Sequence, residues 1–152
     1  MGKSNRTHGM TNSPEWIAWA RMKQRCYDPK IPWFERYGGR GIKVCERWQN
    51  FEKFFEDMGK KPTPKHSIDR INNDKGYEPD NCRWATQIEQ QRNRRNNVLV
   101  THNGKTQCIS EWAEEYGLCH MVLAMRIARG WDMVRALSQP VKRGRPKKVT
   151  NP

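Results

Sequence analysis

Ser67-Ile68-Asp69-Arg70-Ile71 and Asn81-Cys82-Arg83-Trp84 are two short extended runs, parted by the polar turn Asn72-Asn73-Asp74-Lys75-Gly76 and followed by Thr86-Gln87-Ile88-Glu89. Asn, Asp and Gly bend a chain at low cost. A Thr three residues before a Glu is a capping box, so a helix is predicted to start at Thr86 and run to about Asn96. Strand, turn, strand and helix in one short stretch set the fold class as α+β.

Upstream, residues 1–12 are small and polar and predict a disordered start. Ser13 then caps a helix with Pro14 at its first position, and Trp16, Trp19, Ala20, Met22 and Cys26 recur at helical spacing. Pro29 and Pro32 end that helix. Tyr37-Gly38-Gly39-Arg40-Gly41 reads as a tight loop leading into a short strand, Ile42-Lys43-Val44-Cys45. Asn50 can cap a helix whose core stripe is Phe51, Phe54, Phe55 and Met58; Gly59 ends it, and Pro62 and Pro64 make a linker.

Downstream, Val98-Leu99-Val100 and Thr106-Gln107-Cys108-Ile109 flank His102-Asn103-Gly104-Lys105, an Asn-Gly hairpin signal. Ser110 is expected to cap a helix through Tyr116. Gly117 turns the chain, a second helix runs from about His120 to Arg129, and Asp132 caps a third. Two short helices around a glycine turn read as a helix-turn-helix. Four segments follow: 1–12, 13–97, 98–140 and a basic tail, 141–152.

The chain has 152 residues, 29 Lys+Arg against 16 Asp+Glu, and a net charge of +13. That balance points to a polyanion, most often nucleic acid. Without a run of 18 apolar residues or an apolar N-terminal stretch, neither a transmembrane span nor a secretory signal is expected. Cys26, Cys45, Cys82, Cys108 and Cys119 are scattered with no Cys-x-x-Cys. They read as small buried thiols in a reducing compartment, in preference to a composite zinc site from Cys26, Cys45, Cys82 and His66. The glycine loop lacks the Lys-Ser/Thr of a nucleotide P-loop, which disfavours nucleotide hydrolysis and leaves Arg40 as a DNA phosphate contact.

Asp69-Arg70-Ile71-Asn72, Asn81-Cys82-Arg83-Trp84-Ala85-Thr86, Glu89-Gln90 and Asn93 together resemble the HNH (ββα-metal) nucleases. The closest pattern is that of phage homing endonucleases: Asp-His-Ile-Asp, Asn-Leu-Arg-Trp-x-Thr, Glu-Asn. The whole stretch 13–97 is similar to phage and prophage proteins grouped with that family. The resemblance implies a β-hairpin clamped to a helix around one divalent metal, for which magnesium is expected ahead of zinc. It implies Asp69 as metal ligand with Gln90 and Asn93 on the helix side, and Asn81 as the residue bracing the loop. Arg70 stands where the family has its catalytic His. Arginine stays protonated at neutral pH and is no general base, though it can neutralise charge at a phosphorane-like transition state. His66, three residues earlier, and Tyr77 are then the candidate bases. In an ideal strand His66 and Asp69 face opposite sides, so His66 needs a bulge to serve.

The segment from Asn103 to Leu137 resembles the helix-turn-helix modules appended to homing endonucleases, whose second helix enters the major groove; here that helix carries His120, Arg126 and Arg129. Lys142-Arg143-Gly144-Arg145-Pro146 resembles an AT-hook, with Arg143 and Arg145 in the minor groove. Arg83, Arg92, Arg94 and Arg95 complete the expected DNA contacts. The expected activity is metal-dependent cleavage of double-stranded DNA by a phage-encoded enzyme in the bacterial cytoplasm. The alternative is a catalytically decayed relative that binds DNA, separated from the first by Arg70.

Overall fold

In the computed structural model, which describes residues 9–141, helix α1 (Pro14–Tyr27) opens where the Ser13 side chain accepts the Trp16 N–H. Helix α2 (Phe51–Met58) is capped the same way by Asn50, which accepts from Lys53. Between them the chain makes short 3-10 turns at Phe34–Arg36, Gly38–Arg40 and Glu46–Gln49. The strand expected at Ile42–Cys45 does not form. Only a single parallel bridge joins Val44 to Tyr77, because the backbone turns into the 3-10 segment at Glu46 before a ladder can extend.

Strands β1 (His66–Arg70) and β2 (Cys82–Thr86) pair antiparallel, with Asp69 opposite Arg83 and Arg70 opposite Cys82. Helix α3 (Gln87–Arg92) follows directly, its Thr86–Glu89 capping box complete. It is shorter than predicted and stops at Asn93. Side chains alternate across a strand. Ile68 and Arg70 therefore point into the core, while Ser67 and Asp69 face α3.

The core of this first unit gathers Met22, Ile42, Trp48, Phe54, Ile68 and Tyr77. Three of its tryptophans pack their rings there and still satisfy their N–H groups: Trp19 donates to the Trp48 carbonyl at 2.7 Å, Trp48 to Asp57 at 2.7 Å and Trp84 to the Met58 carbonyl at 2.8 Å.

A second unit begins at Asn96. Strands β3 (Leu99–His102) and β4 (Lys105–Cys108) form the expected hairpin, with Asn103 and Gly104 both at positive φ, 50° and 75°. This is the turn geometry Asn-Gly favours. Helices α4 (Ile109–Glu115), α5 (His120–Ala128) and α6 (Met133–Ser138) close over Trp112, Leu123, Ala136 and Leu137. The cap of α4 is Cys108, not Ser110: the Glu111 carboxylate takes the Cys108 N–H at 2.9 Å. The molecule is thus a mixed helix-and-strand, small α+β protein in two units. No helix among the described residues is long and apolar enough to cross a membrane. The AT-hook-like residues, Arg143 and Arg145 included, and residues 1–8 lie outside the described residues.

Candidate nucleic-acid interface

Asn81 organises the loop between β1 and β2. Its side-chain oxygen accepts the Asn72 N–H at 2.8 Å, and its amide donates to the carbonyls of Asn72 and Gly76 at 3.1 and 2.8 Å. The residue is buried. A small amide with all its groups used pins both ends of a polar turn, the bracing job expected of it.

On the α3 face of the hairpin, Asp69 meets two neighbours. The Asn93 amide nitrogen lies 3.1 Å from its carboxylate and also donates to the Arg70 carbonyl. The Arg83 guanidinium approaches the same oxygen at 3.4 Å. Gln90 does not join them. Its amide turns to Ser67 and the Ala85 carbonyl, so of the two helix residues expected beside Asp69 only Asn93 reaches it.

Magnesium wants oxygen ligands, at least one carboxylate among them. Asp69 supplies one carboxylate, but the amide facing it presents nitrogen, held there by the Arg70 carbonyl, and the nearby positive charge is already Arg83. Among the described residues no three His, Cys, Asp or Glu gather as a metal-holding group. As the side chains lie, Asp69 is the one carboxylate there and the Asn93 amide turns its nitrogen toward it.

Arg70 is 6% exposed and points away from Asp69. It donates to the Lys75 carbonyl at 2.8 Å, and its guanidinium lies 5.2 Å from the Tyr37 ring and 5.1 Å from the Tyr77 ring. Those rings stack with centroids 6.5 Å apart. The catalytic place expected for Arg70, facing a phosphate, is therefore corrected: the guanidinium is a fixed interior cation. Tyr77 is no better as a base, since it is buried and burial pushes its phenol above the usual range. His66 forms a hydrogen bond with the Thr63 hydroxyl, and β1 runs without the bulge that would bring it to the Asp69 face.

The expected DNA contacts divide. Arg40 and Arg95, distant in sequence, both bind Asp74 in the braced loop, at 2.6 and 3.3 Å. The two guanidiniums hold the Asp74 carboxyl below its ordinary value, Arg40 first. Arg94 is exposed, Arg83 is exposed beside Asp69, and Arg92 is half-buried. Sequence reading missed Asp74 as the organiser of this rim. In the second unit His120 and Arg129 are exposed at the two ends of α5, but Arg126 is buried. It donates to the carbonyls of Ala136 and Pro140 at 2.6 and 3.2 Å and lies over the Trp131 ring. Arg126 thus ties the end of α6 to α5, and its expected DNA contact is corrected to a structural one. The outer face of α5 shows Met121 and Met125 instead. No protein-family model, curated protein or solved structure matches the chain.

Proposed function

We propose that the chain is a double-stranded DNA-binding protein on an HNH-like ββα scaffold, one that grips DNA without cutting it. The direction of Arg70 carries this reading. The position that the nuclease motif gives to its water-activating base holds a cation locked between two tyrosines, and the acid beside it faces an amide nitrogen and Arg83. Neither arrangement deprotonates water. What the first unit does present is a set of exposed guanidiniums, Arg40, Arg83, Arg94 and Arg95, two of them on Asp74 of the Asn81-braced loop. The bonds of Arg40 and Arg95 to Asp74 are solvent-exposed, and such pairs hold weakly enough to be exchanged for phosphate oxygens. The helix-turn-helix-like unit and the basic tail add further contacts in this reading.

A second reading, metal-dependent cleavage by an HNH homing-type endonuclease, is favoured by one observation: Asn93 touches Asp69, the two residues such an enzyme needs side by side. Supercoiled plasmid incubated with the protein and magnesium or manganese separates the two. Retarded but intact plasmid supports binding alone. Nicking by wild type that disappears in Asp69→Ala overturns it in favour of the enzyme. Nicking gained only by Arg70→His identifies a nuclease scaffold that has lost its base.

A further inference from the structure

A cleft of about 150 Å³ opens between α1 and β1 in the first unit. Pro14, Ile17, Ala18 and Ile68 form its apolar wall, and Arg21, Arg25 and Lys61 border it with cations. The three cations come from two separate places in the chain, the same face of α1 and the linker after α2. Arg21 and Arg25 stand four apart on one helix, where like charges repel. None of the three side chains has an acidic partner among the described residues; Arg25 is stacked on Tyr37 and Tyr77, and its Nε is buried with no acceptor. A buried donor left without an acceptor is uncommon in folded proteins.

Lys61 is also placed deliberately. Its backbone N–H is held at 2.9 Å by the carboxylate of Glu15, itself only 7% exposed. Burial alone would raise the Glu15 carboxyl, but the N–H groups of Lys61 and Glu15, the Ser13 hydroxyl and the charge of Lys60 outweigh it and hold it low. The start of α1 therefore fixes the linker so that its lysine borders the cleft. β1 pairs with β2 on one side only, so the cleft meets an unpaired strand edge at Ser67 and Ile68.

We infer that this cleft is a phosphate-binding site and that its occupant is a backbone phosphate of duplex DNA, seated by Arg21, Arg25 and Lys61. A tetrahedral oxyanion fits the volume and relieves the repulsion between Arg21 and Arg25 along α1. The DNA occupant rests on the DNA-binding reading above; the phosphate chemistry does not. The site shares no residue with the Arg40–Asp74–Arg95 rim, so it adds a second grip that orients the duplex without reading its sequence.

The test uses the full chain with Arg21→Gln and Lys61→Gln together, and Lys30→Gln as a control that removes charge from an exposed lysine outside the cleft. Both substituted cleft residues border solvent, and a far-ultraviolet circular dichroism melt checks that the variants fold. Fluorescence anisotropy on a labelled duplex gives affinity against salt, and a thermal melt with inorganic phosphate replacing chloride at equal ionic strength gives the free-anion response. The double variant is expected to bind duplex about tenfold or more weakly. Its salt slope should be shallower by about 0.9 for the phosphate released. Phosphate should raise the melting temperature of wild type and not of the double variant. The conservative pair Arg21→Lys and Lys61→Arg should recover most of the affinity. Wild type that binds duplex, with the double variant matching Lys30→Gln in affinity and slope, overturns the site and leaves DNA binding standing. Wild type that ignores duplex but is stabilised by phosphate through these residues upholds the phosphate site and overturns its DNA occupant. No response to either overturns both.

Discussion

Arg70 and Arg126 are both buried guanidiniums that end on backbone carbonyls and aromatic rings. A hydrogen bond from a charged donor contributes about 1.5–3 kcal/mol, and removing the donor strands its acceptor. Arg70→Ala should therefore lower stability by about 2–4 kcal/mol in urea unfolding. A loss below about 0.5 kcal/mol, the range of an ordinary surface change, would show that the tyrosine cage holds nothing together. Asn81→Ala should cost a similar amount by freeing the loop, and should weaken DNA binding through it. The cysteines make a different prediction. Burial pushes the Cys26 thiol up to about 11 and Cys82 up to about 12, against 9.0 for a free thiol. The folded pKa lies above the unfolded one, so this stability is complete below the unfolded value and is lost as pH rises toward the folded value. Urea midpoints should fall as pH rises from about 9 toward about 11, and less steeply in Cys26→Ala/Cys82→Ala. Ellman's reagent should label exposed Cys119 before Cys26, Cys82 and Cys108.

At the scale of elements, α3 ends early because Asn93 leaves the helix to bond Asp69 and the Arg70 carbonyl. Two turns of helix cannot sustain themselves in water, so the capping box and these tertiary bonds carry it. Thr86→Ala removes the one hydroxyl that both accepts the Glu89 N–H and donates to the Glu89 carboxylate. The expected cost is about 1 kcal/mol by urea melt. The bridge that replaces the expected Ile42–Cys45 strand depends on Gly76: a Cβ there would sit 2.6 Å from the Lys43 carbonyl oxygen. That oxygen accepts the Tyr77 N–H at 2.8 Å. Gly76→Ala should pry the bridge apart and loosen Tyr77 over Arg70. A melting temperature equal to wild type would contradict this.

At the scale of the whole molecule, the two units own separate cores, one around Trp48 and Phe54 and one around Trp112 and Leu123. Residues 9–95 expressed alone should keep a cooperative thermal melt, because their buried side chains come from within that range. The charge is unevenly spread as well. Five of the 29 basic residues lie in Lys142–Pro152, which has no acid. Truncation after Val141 should flatten the salt dependence of DNA binding. If the Arg-Gly-Arg-Pro sequence acts as a minor-groove hook, binding to A·T-rich duplex should fall more than binding to G·C-rich duplex, and Arg145→Ala should reproduce that difference where Lys148→Ala should not. Anisotropy on both duplexes measures it.

Local chemistry alone determined much of this protein. The caps at Ser13, Asn50, Thr86 and Asp132, the Asn-Gly hairpin and the β1–turn–β2–α3 order were all readable, because each rests on bonds between residues a few positions apart. The bracing of the loop by Asn81 was readable too, from a motif. Tertiary structure decided what sequence spacing could not. It turned Arg70 and Arg126 inward, chose Asn93 over Gln90 as the neighbour of Asp69, and brought Arg40 and Arg95 onto one aspartate. It also set Arg21 and Arg25 beside Lys61 around one cleft. A charged side chain has the same intrinsic preferences at the surface and in the core. Which it occupies depends on whether distant carbonyls and rings converge to replace its water, and that convergence exists only once the chain has folded.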